Sequence, residues 1–273
     1  MFAVVHPVGS VPMMRVLLLA GTTEATALAG ELVERGHEVV SSFAGVTTNV
    51  ADRPGEVRSG GFGGVEGLRS YLSDARIEVL VDATHPFAAV MPHHAAAAAA
   101  AARLPHVRLL RPGWEQGSAN RWVRVGSMAE AATTLAELAP RCAFLAVGRQ
   151  QVAAFQGLTM RLVVRSIEPV EADLADAVFV RQRGPFTLEG ELALMLDNGV
   201  EVMVTKDAGG TATQAKLIAA RELGITVVMV ERPAQPDGVT VLGTVAEATA
   251  FVGQMAGRPT TAGTTSAESR EPA

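Results

Sequence analysis

The chain has 273 residues, 48% of them hydrophobic and 19% charged, with a formal net charge of −5. That length suits one large domain or two small ones with a substantial core, and the acidic balance argues against nucleic acid as a bulk partner. A lone cysteine, Cys142, excludes a disulfide framework or zinc cluster and fits a reducing cytoplasm, and no apolar run reaches the roughly 18–20 residues of a membrane span.

Residues 1–13 lack the basic start and long apolar core of a secretory signal and read as a disordered leader or an over-long start. Apolar, β-branched runs then follow at Val16–Ala20, Val39–Phe43, Val79–Asp82, Val107–Leu110, Phe144–Val147, Leu162–Arg165, Val202–Thr205 and Val227–Val230. Helical patterns separate most of them, at Glu24–Arg35, Val65–Leu72, Ala95–Ala102, Leu188–Leu196 and Gln214–Leu223. Ser127 and Thr244 have the chemistry and position of helix N-caps. From 255 the composition turns to Gly, Thr, Ser, Pro and Ala and reads as a disordered tail. Strands alternating with helices predict an α/β chain with mainly parallel sheets covered on both faces.

The pattern is also written twice. The stretch from Val57 to Gly67 lies opposite Val180 to Gly190, Glu78–Asp82 opposite Glu201–Thr205, and Arg111-Pro112 opposite Arg232-Pro233. Both copies close alike, with Val125-Gly126-Ser127 against Leu242-Gly243-Thr244. The ordered matches predict two similar Rossmann-like domains, at 14–138 for the dinucleotide and 139–254 for the second, with a ligand cleft between them. Ligands of open α/β sheets sit beyond the carboxyl ends of the strands.

Five motifs fall at such ends. Gly21-Thr22-Thr23-Glu24 follows the first strand and opens a helix. It is either a phosphate loop, using unpaired helix-start N–H groups and threonine hydroxyls, or a capped turn. Gly60-Gly61-Phe62-Gly63-Gly64 suits close backbone approach to a flat ligand, or a flexible loop. In Asp82-Ala83-Thr84-His85-Pro86, His85 is a ligand-contact candidate beside a structural alternative. The only two lysines of the chain, Lys206 and Lys216, flank Gly209-Gly210 in the equivalent loop of the second half. Arg149 and Arg165 add cationic strand ends there, giving a rim that suits a polycarboxylate or a solvated salt-bridge face. No hydrolase triad spacing and no metal-ligand cluster is present in the pattern, so no metal is expected.

Taken in order, LLLAGTTEATALAGEL, GGFGGVEGLRSYL, VDATHPFA, RPGW, VGRQ, RGPF and TKDAGG resemble the precorrin-6A reductase family of cobalamin biosynthesis, over residues 14 to 253. The resemblance implies a two-domain cytoplasmic enzyme that uses NADPH to reduce precorrin-6A to precorrin-6B, with hydride to C19 and a proton to C18. It implies a tetrapyrrole as small-molecule partner, handed over to neighbouring pathway enzymes. Carried over by position, Gly21, Thr22, Thr23 and Glu24 hold the pyrophosphate or ribose, and Ala44 and Gly45 lie near the adenosine. Gly61, Phe62, Gly63, Gly64, Thr84, His85 and Pro86 border the nicotinamide. Arg149, Arg165, Lys206, Gly209, Gly210 and Lys216 face the macrocycle, with His85 and Lys206 as candidate proton donors. Val46 stands where the family often has arginine, which leaves the 2′-phosphate to Ser42, Thr47 or Arg53. Ala208 replaces a usual serine. Two other classes remain: an NAD(P)-binding regulator or redox sensor without turnover, and an S-adenosylmethionine transferase with a similar cleft.

Overall fold

The computed structural model describes residues 12–45 and 53–257. Residues 1–11, Val46 and Thr47, and the tail from 258 lie outside the described residues.

The first half runs β1 (Arg15–Leu19), α1 (Thr23–Glu34), β2 (Glu38–Phe43), β3 (Glu56–Ser59), α2 (Gly64–Asp74), β4 (Val79–Asp82), α3 (Met91–Ala102) and β5 (His106–Leu109). In α1 the buried residues are Ala25, Leu28, Ala29 and Leu32, one stripe at helical spacing, and Thr22 caps the start. Alternate residues of β1 serve opposite faces. Val16 and Leu18 pack with the α1 stripe, while Leu17 and Leu19 pack with Leu68 and Leu72 of α2 and the small Ala95, Ala98 and Ala99 of α3. A strand buried on both faces has no polar alternate positions, which is why β1 reads as one continuous apolar run.

The chain continues through β6 (Trp122–Val125), α4 (Met128–Leu138), β7 (Cys142–Ala146), a 3₁₀ turn (Arg149–Phe155), β8 (Arg161–Ser166) and β9 (Ala177–Arg181). It ends with α5 (Leu188–Asp197), β10 (Val202–Lys206), α6 (Ala215–Glu222), β11 (Thr226–Val230), β12 (Thr240–Leu242) and α7 (Val245–Ala256). Ser127 and Thr244 cap α4 and α7, each accepting the amide of a glutamate three residues on.

Two six-stranded sheets result, in the orders β12-β5-β4-β1-β2-β3 and β6-β11-β10-β7-β8-β9, and every pairing is parallel. The expected α/β class with two Rossmann-like units is what the chain adopts. The eight apolar runs supply all the interior strands. The four remaining strands, β3, β6, β9 and β12, are the four sheet edges. Three of them, such as Glu-Val-Arg-Ser, are short and broken by polar residues, while β9 carries the apolar run Ala177–Val180 that the strand pattern passes over.

The sheets do not divide at the expected 138/139 boundary. Strand β6 leaves the first half and pairs with β11, with Trp122 opposite Val227, and α4 buries Ala131 and Leu135 against the second sheet. Strand β12 returns the exchange by pairing with β5, with Thr240 opposite Val107. Helix α7 then sets Ala248 and Val252 into the first core, and Thr249 donates to Glu31 on α1 at 2.9 Å. The first unit therefore takes residues from both ends of the chain. The exchange starts at Arg111-Pro112 and Arg232-Pro233, where proline ends the ladder and the backbone crosses between the sheets.

Candidate functional site

In the first sheet the strand order reverses at β1, which lies between β4 and β2, so the loops after β1 and β4 part and open a crevice at their carboxyl ends. The two loops touch. A Cβ on Gly21 would stand 3.3 Å from the His85 amide nitrogen, so only glycine leaves room there without a shift. The Thr22 hydroxyl stitches them, accepting from the Ala25 N–H at 3.1 Å and donating to the Ala83 carbonyl at 3.2 Å. Its donor is thereby used, which contradicts the expectation that it donates to phosphate. The Thr23 hydroxyl is also engaged, donating to the Glu24 carboxylate at 3.2 Å, so an anion at this helix start would rely on unpaired backbone N–H groups.

The β4 loop is braced from beneath. Fully buried Asp82 accepts the Thr84 amide (2.9 Å) and hydroxyl (2.7 Å) on one oxygen and Arg108 (2.6 Å) on the other. His85 Nδ1 accepts the Phe87 N–H at 3.1 Å, which assigns the imidazole proton to Nε2. Burial, joined by the charges of Lys206, Arg111 and Arg232, pushes the His85 pKa down to about 4. His85 is therefore a neutral N–H donor at physiological pH.

Three cavities meet at this imidazole. The largest, about 670 Å³, lies between the sheets and is lined by Gly21, Thr22, Thr23, Glu24 and Arg53 from one side and by Arg183 and Gly209–Thr213 from the other. Among the described residues lining it, Arg53, Arg111 and Arg183 face one carboxylate, that of Glu24, so this lining attracts anions. Arg53 stacks over Phe43, 4.2 Å from its centroid. A second cavity of about 400 Å³ runs from His85 and Phe87 to Lys206, Gln150 and Gln151. The third, about 280 Å³ and mostly apolar, is bounded by Leu19, Ser42, Ala44, Gly60-Gly61-Phe62 and Thr84. Arg58 shapes it by donating to the Ser42 hydroxyl and the Gly60 and Gly61 carbonyls while stacking 3.8 Å over Phe62. The second sheet reverses at β7 in the same way, and its Lys206 sits at that point beside Gly148.

Several expected contacts lie elsewhere. Gly63 and Gly64, with φ of 81° and 90°, serve the turn into α2, Gly45 is exposed, and Pro86 is buried within its turn; none of these four lines the three cavities. Arg149 is exposed at the start of the 3₁₀ turn, and its neighbours Gln150 and Gln151 face the second cavity instead. Arg165 is buried, held between Phe144 and Phe186 and paired with Glu191 at 2.7 Å. It borders a separate small cavity with Phe186 and Thr187. Lys216 is buried over the Trp114 ring. Burial, reinforced by Arg165 and Lys206 and opposed by Glu191, lowers its pKa to about 7. Neither Arg165 nor Lys216 faces the central cleft. Arg111 and Arg183 do, and both belong to the repeated segments: Arg111 to the Arg-Pro pair, Arg183 opposite Gly60 of the glycine loop.

The family model for precorrin-6x reductase CbiJ/CobK matches residues 15–253. A precorrin-6A reductase of Mycobacterium tuberculosis is 42% identical over 249 residues, covering 90% of this chain and 100% of the relative. One of Rhodococcus erythropolis is 41% identical at the same coverage. A cobalt-precorrin-6A reductase of Priestia megaterium is 30% identical, covering 80% of this chain and 90% of its own. The solved structure of CobK precorrin-6A reductase aligns with a TM-score of 0.81 and 38% identity, over 89% of this chain and 97% of that one. The chain is therefore a member of the precorrin-6x reductase family of oxidoreductases.

Proposed function

We propose that the protein reduces precorrin-6A to precorrin-6B with NADPH, adding hydride at C19 and a proton at C18. The observation that carries this reading is the meeting of three cavities at neutral His85, between the reversal points of two facing sheets. The residues fit a dinucleotide. Crowded Gly21 and the start of α1 suit a pyrophosphate, Ser42 and Ala44 the ribose side, and the apolar cavity walled by Gly60-Gly61 a flat ring. Arg53 in the central cleft is the cation for the 2′-phosphate that Val46 does not provide. The bound nicotinamide supplies the hydride.

The macrocycle carboxylates would meet Arg183, Lys206 and the Gly209–Thr213 loop. Burial alone lowers the Lys206 pKa, so its ammonium gives up a proton more readily than a solvated lysine. Lys206 is the donor to C18. His85, being neutral, donates a hydrogen bond from Nε2 and holds the ring in place. Relatives named precorrin-6A reductase share 41–42% identity and those named cobalt-precorrin-6A reductase 30% or less, which favours a ring without cobalt as substrate.

The test is NADPH consumption on addition of purified precorrin-6A. One NADPH should be consumed per macrocycle. Arg53→Ala should raise KM for NADPH about tenfold, the loss of one charge-assisted contact, and leave NADH use unchanged. NADPH that binds but is never consumed in the presence of the macrocycle would overturn the reading in favour of a non-catalytic binder.

A further inference from the structure

The guanidinium of Arg111 divides between the two halves of the cleft. Its Nη1 donates to the Glu24 carboxylate at 2.7 Å, and its Nε donates to the Ala208 carbonyl at 2.7 Å. Glu24 sits in the first turn of α1, on the side read as the dinucleotide site. Ala208 leads into Gly209-Gly210, on the side read as the macrocycle site. The Arg111 carbonyl accepts Nη1 of Arg232 from the second crossing at 2.8 Å, and Arg232 Nε donates to the Asp207 carbonyl at 2.8 Å. The Asp207 carboxylate in turn takes the Trp114 N–H at 2.9 Å. Packing reinforces these bonds, since a Cβ on Gly210 would stand 2.9 Å from Arg111 Cδ. Neither the α1 turn nor the Ala208–Gly210 loop can shift alone while one planar fork holds both. The Arg111 and Glu24 side chains are 16% and 26% exposed on the cleft, within reach of what binds there.

We propose that Arg111 is a positioning residue that couples the two ligands, so that occupancy of the dinucleotide side favours macrocycle binding and the reverse. The proposal rests on the reading of the cleft given above. Coupling of this kind needs an element whose arrangement both ligands bias. Here each ligand orders the loop it touches, and the shared guanidinium passes that order to the other loop. Glu24 keeps its charge for this role: burial works to raise its pKa, but its own backbone N–H and Arg111 outweigh burial and lower it. Lysine cannot substitute. It carries the charge on a single flexible ammonium and can hold one of the two partners but not both in this geometry.

The experiment is calorimetric titration of NADP⁺, which has no hydride to give, in the absence and presence of precorrin-6A. In the wild type the macrocycle should tighten NADP⁺ binding by about fivefold or more, within the roughly 5- to 150-fold usual for linked sites. In Arg111→Lys and Arg111→Ala the enhancement, read as the ratio of NADP⁺ affinities with and without macrocycle for each protein, should fall below about twofold whatever the affinity for NADP⁺ alone. Glu24→Gln leaves both crossings intact, so it remains informative if an Arg111 variant does not fold, and it should weaken the enhancement in the same direction. A wild type without enhancement, or an Arg111→Ala or Glu24→Gln protein that keeps all of it, would overturn the proposal while leaving wild-type turnover as evidence for the reductase. A wild type that binds neither NADP⁺ nor macrocycle would overturn both readings.

Discussion

His85 and Lys206 line one cavity, and burial acts on them in the same direction with different outcomes. Both pKa values fall, but an imidazole starts near 6.5 and reaches about 4, so it is neutral throughout the working range. The sign follows for stability as well. Between pH 6.5 and about 4 the unfolded chain takes up a proton that folded His85 refuses, so acidification through that window removes stability. In catalysis, an imidazolium donor titrating at the ordinary histidine value would give a kcat that falls above pH 6.5, whereas a ring kept neutral by its lowered pKa gives no limb there. We expect no limb near 6.5 in the kcat profile. His85→Gln, which keeps an N–H donor, should stay well above His85→Ala, itself reduced about tenfold or more by loss of one positioned donor. A descending limb near pH 6.5 that disappears in His85→Gln would show that histidine is the acid. The sequence shows His85 at a strand end, but it does not show the Phe87 N–H or the surrounding cations that keep the ring neutral, because Lys206, Arg111 and Arg232 arrive from distant segments.

At the scale of elements, the strands legible from sequence are those buried on two faces. Leu17 faces Val40 and Leu80, and Met203 faces Phe144 and Val227, so the middles of these strands are apolar on both faces and polar residues such as Asp82 and Lys206 gather at their ends. Edge strands need one partner and tolerate Glu56, Arg58 or Arg124, which hides them from an apolar pattern. The loop after β10 was legible as a glycine pair, and the structure supplies a second reason for it. Gly209 has φ of +66°, and a Cβ there would collide with the Pro112 carbonyl of the first crossing. Gly209→Ala should therefore lower unfolding free energy by about 2 kcal/mol or more, combining left-handed backbone strain with the collision. Urea denaturation measures this, and a change within about 0.5 kcal/mol would show that the crossing yields.

At the scale of the molecule, each sheet is completed by the other half of the chain. A fragment of residues 1–138 would carry β6 and α4 without β11, and α1 without Ala248 and Val252 of α7. It should show no cooperative thermal transition by circular dichroism. A chain in which 12–113 is joined by a flexible linker to 234–257 should melt cooperatively, because it restores β12 and α7 to the first sheet. Cooperative melting of 1–138 alone would overturn this account. The amino-acid sequence by itself determined the alternation of strands and helices, the interior strands, the caps at Ser127 and Thr244, the internal repeat and the motifs of the family. Those are local properties: periodicity and capping report how a segment meets its own surroundings. Tertiary structure alone decided that β6 and β12 change sheets, that Arg165 and Lys216 turn inward to Glu191 and Trp114, and that Arg111 joins Glu24 to Ala208. A short edge strand fits any parallel neighbour, and an arginine any nearby acceptor. The choice is made by chain crossings that bring together residues 87 and 97 positions apart, a separation on which local pattern carries no information.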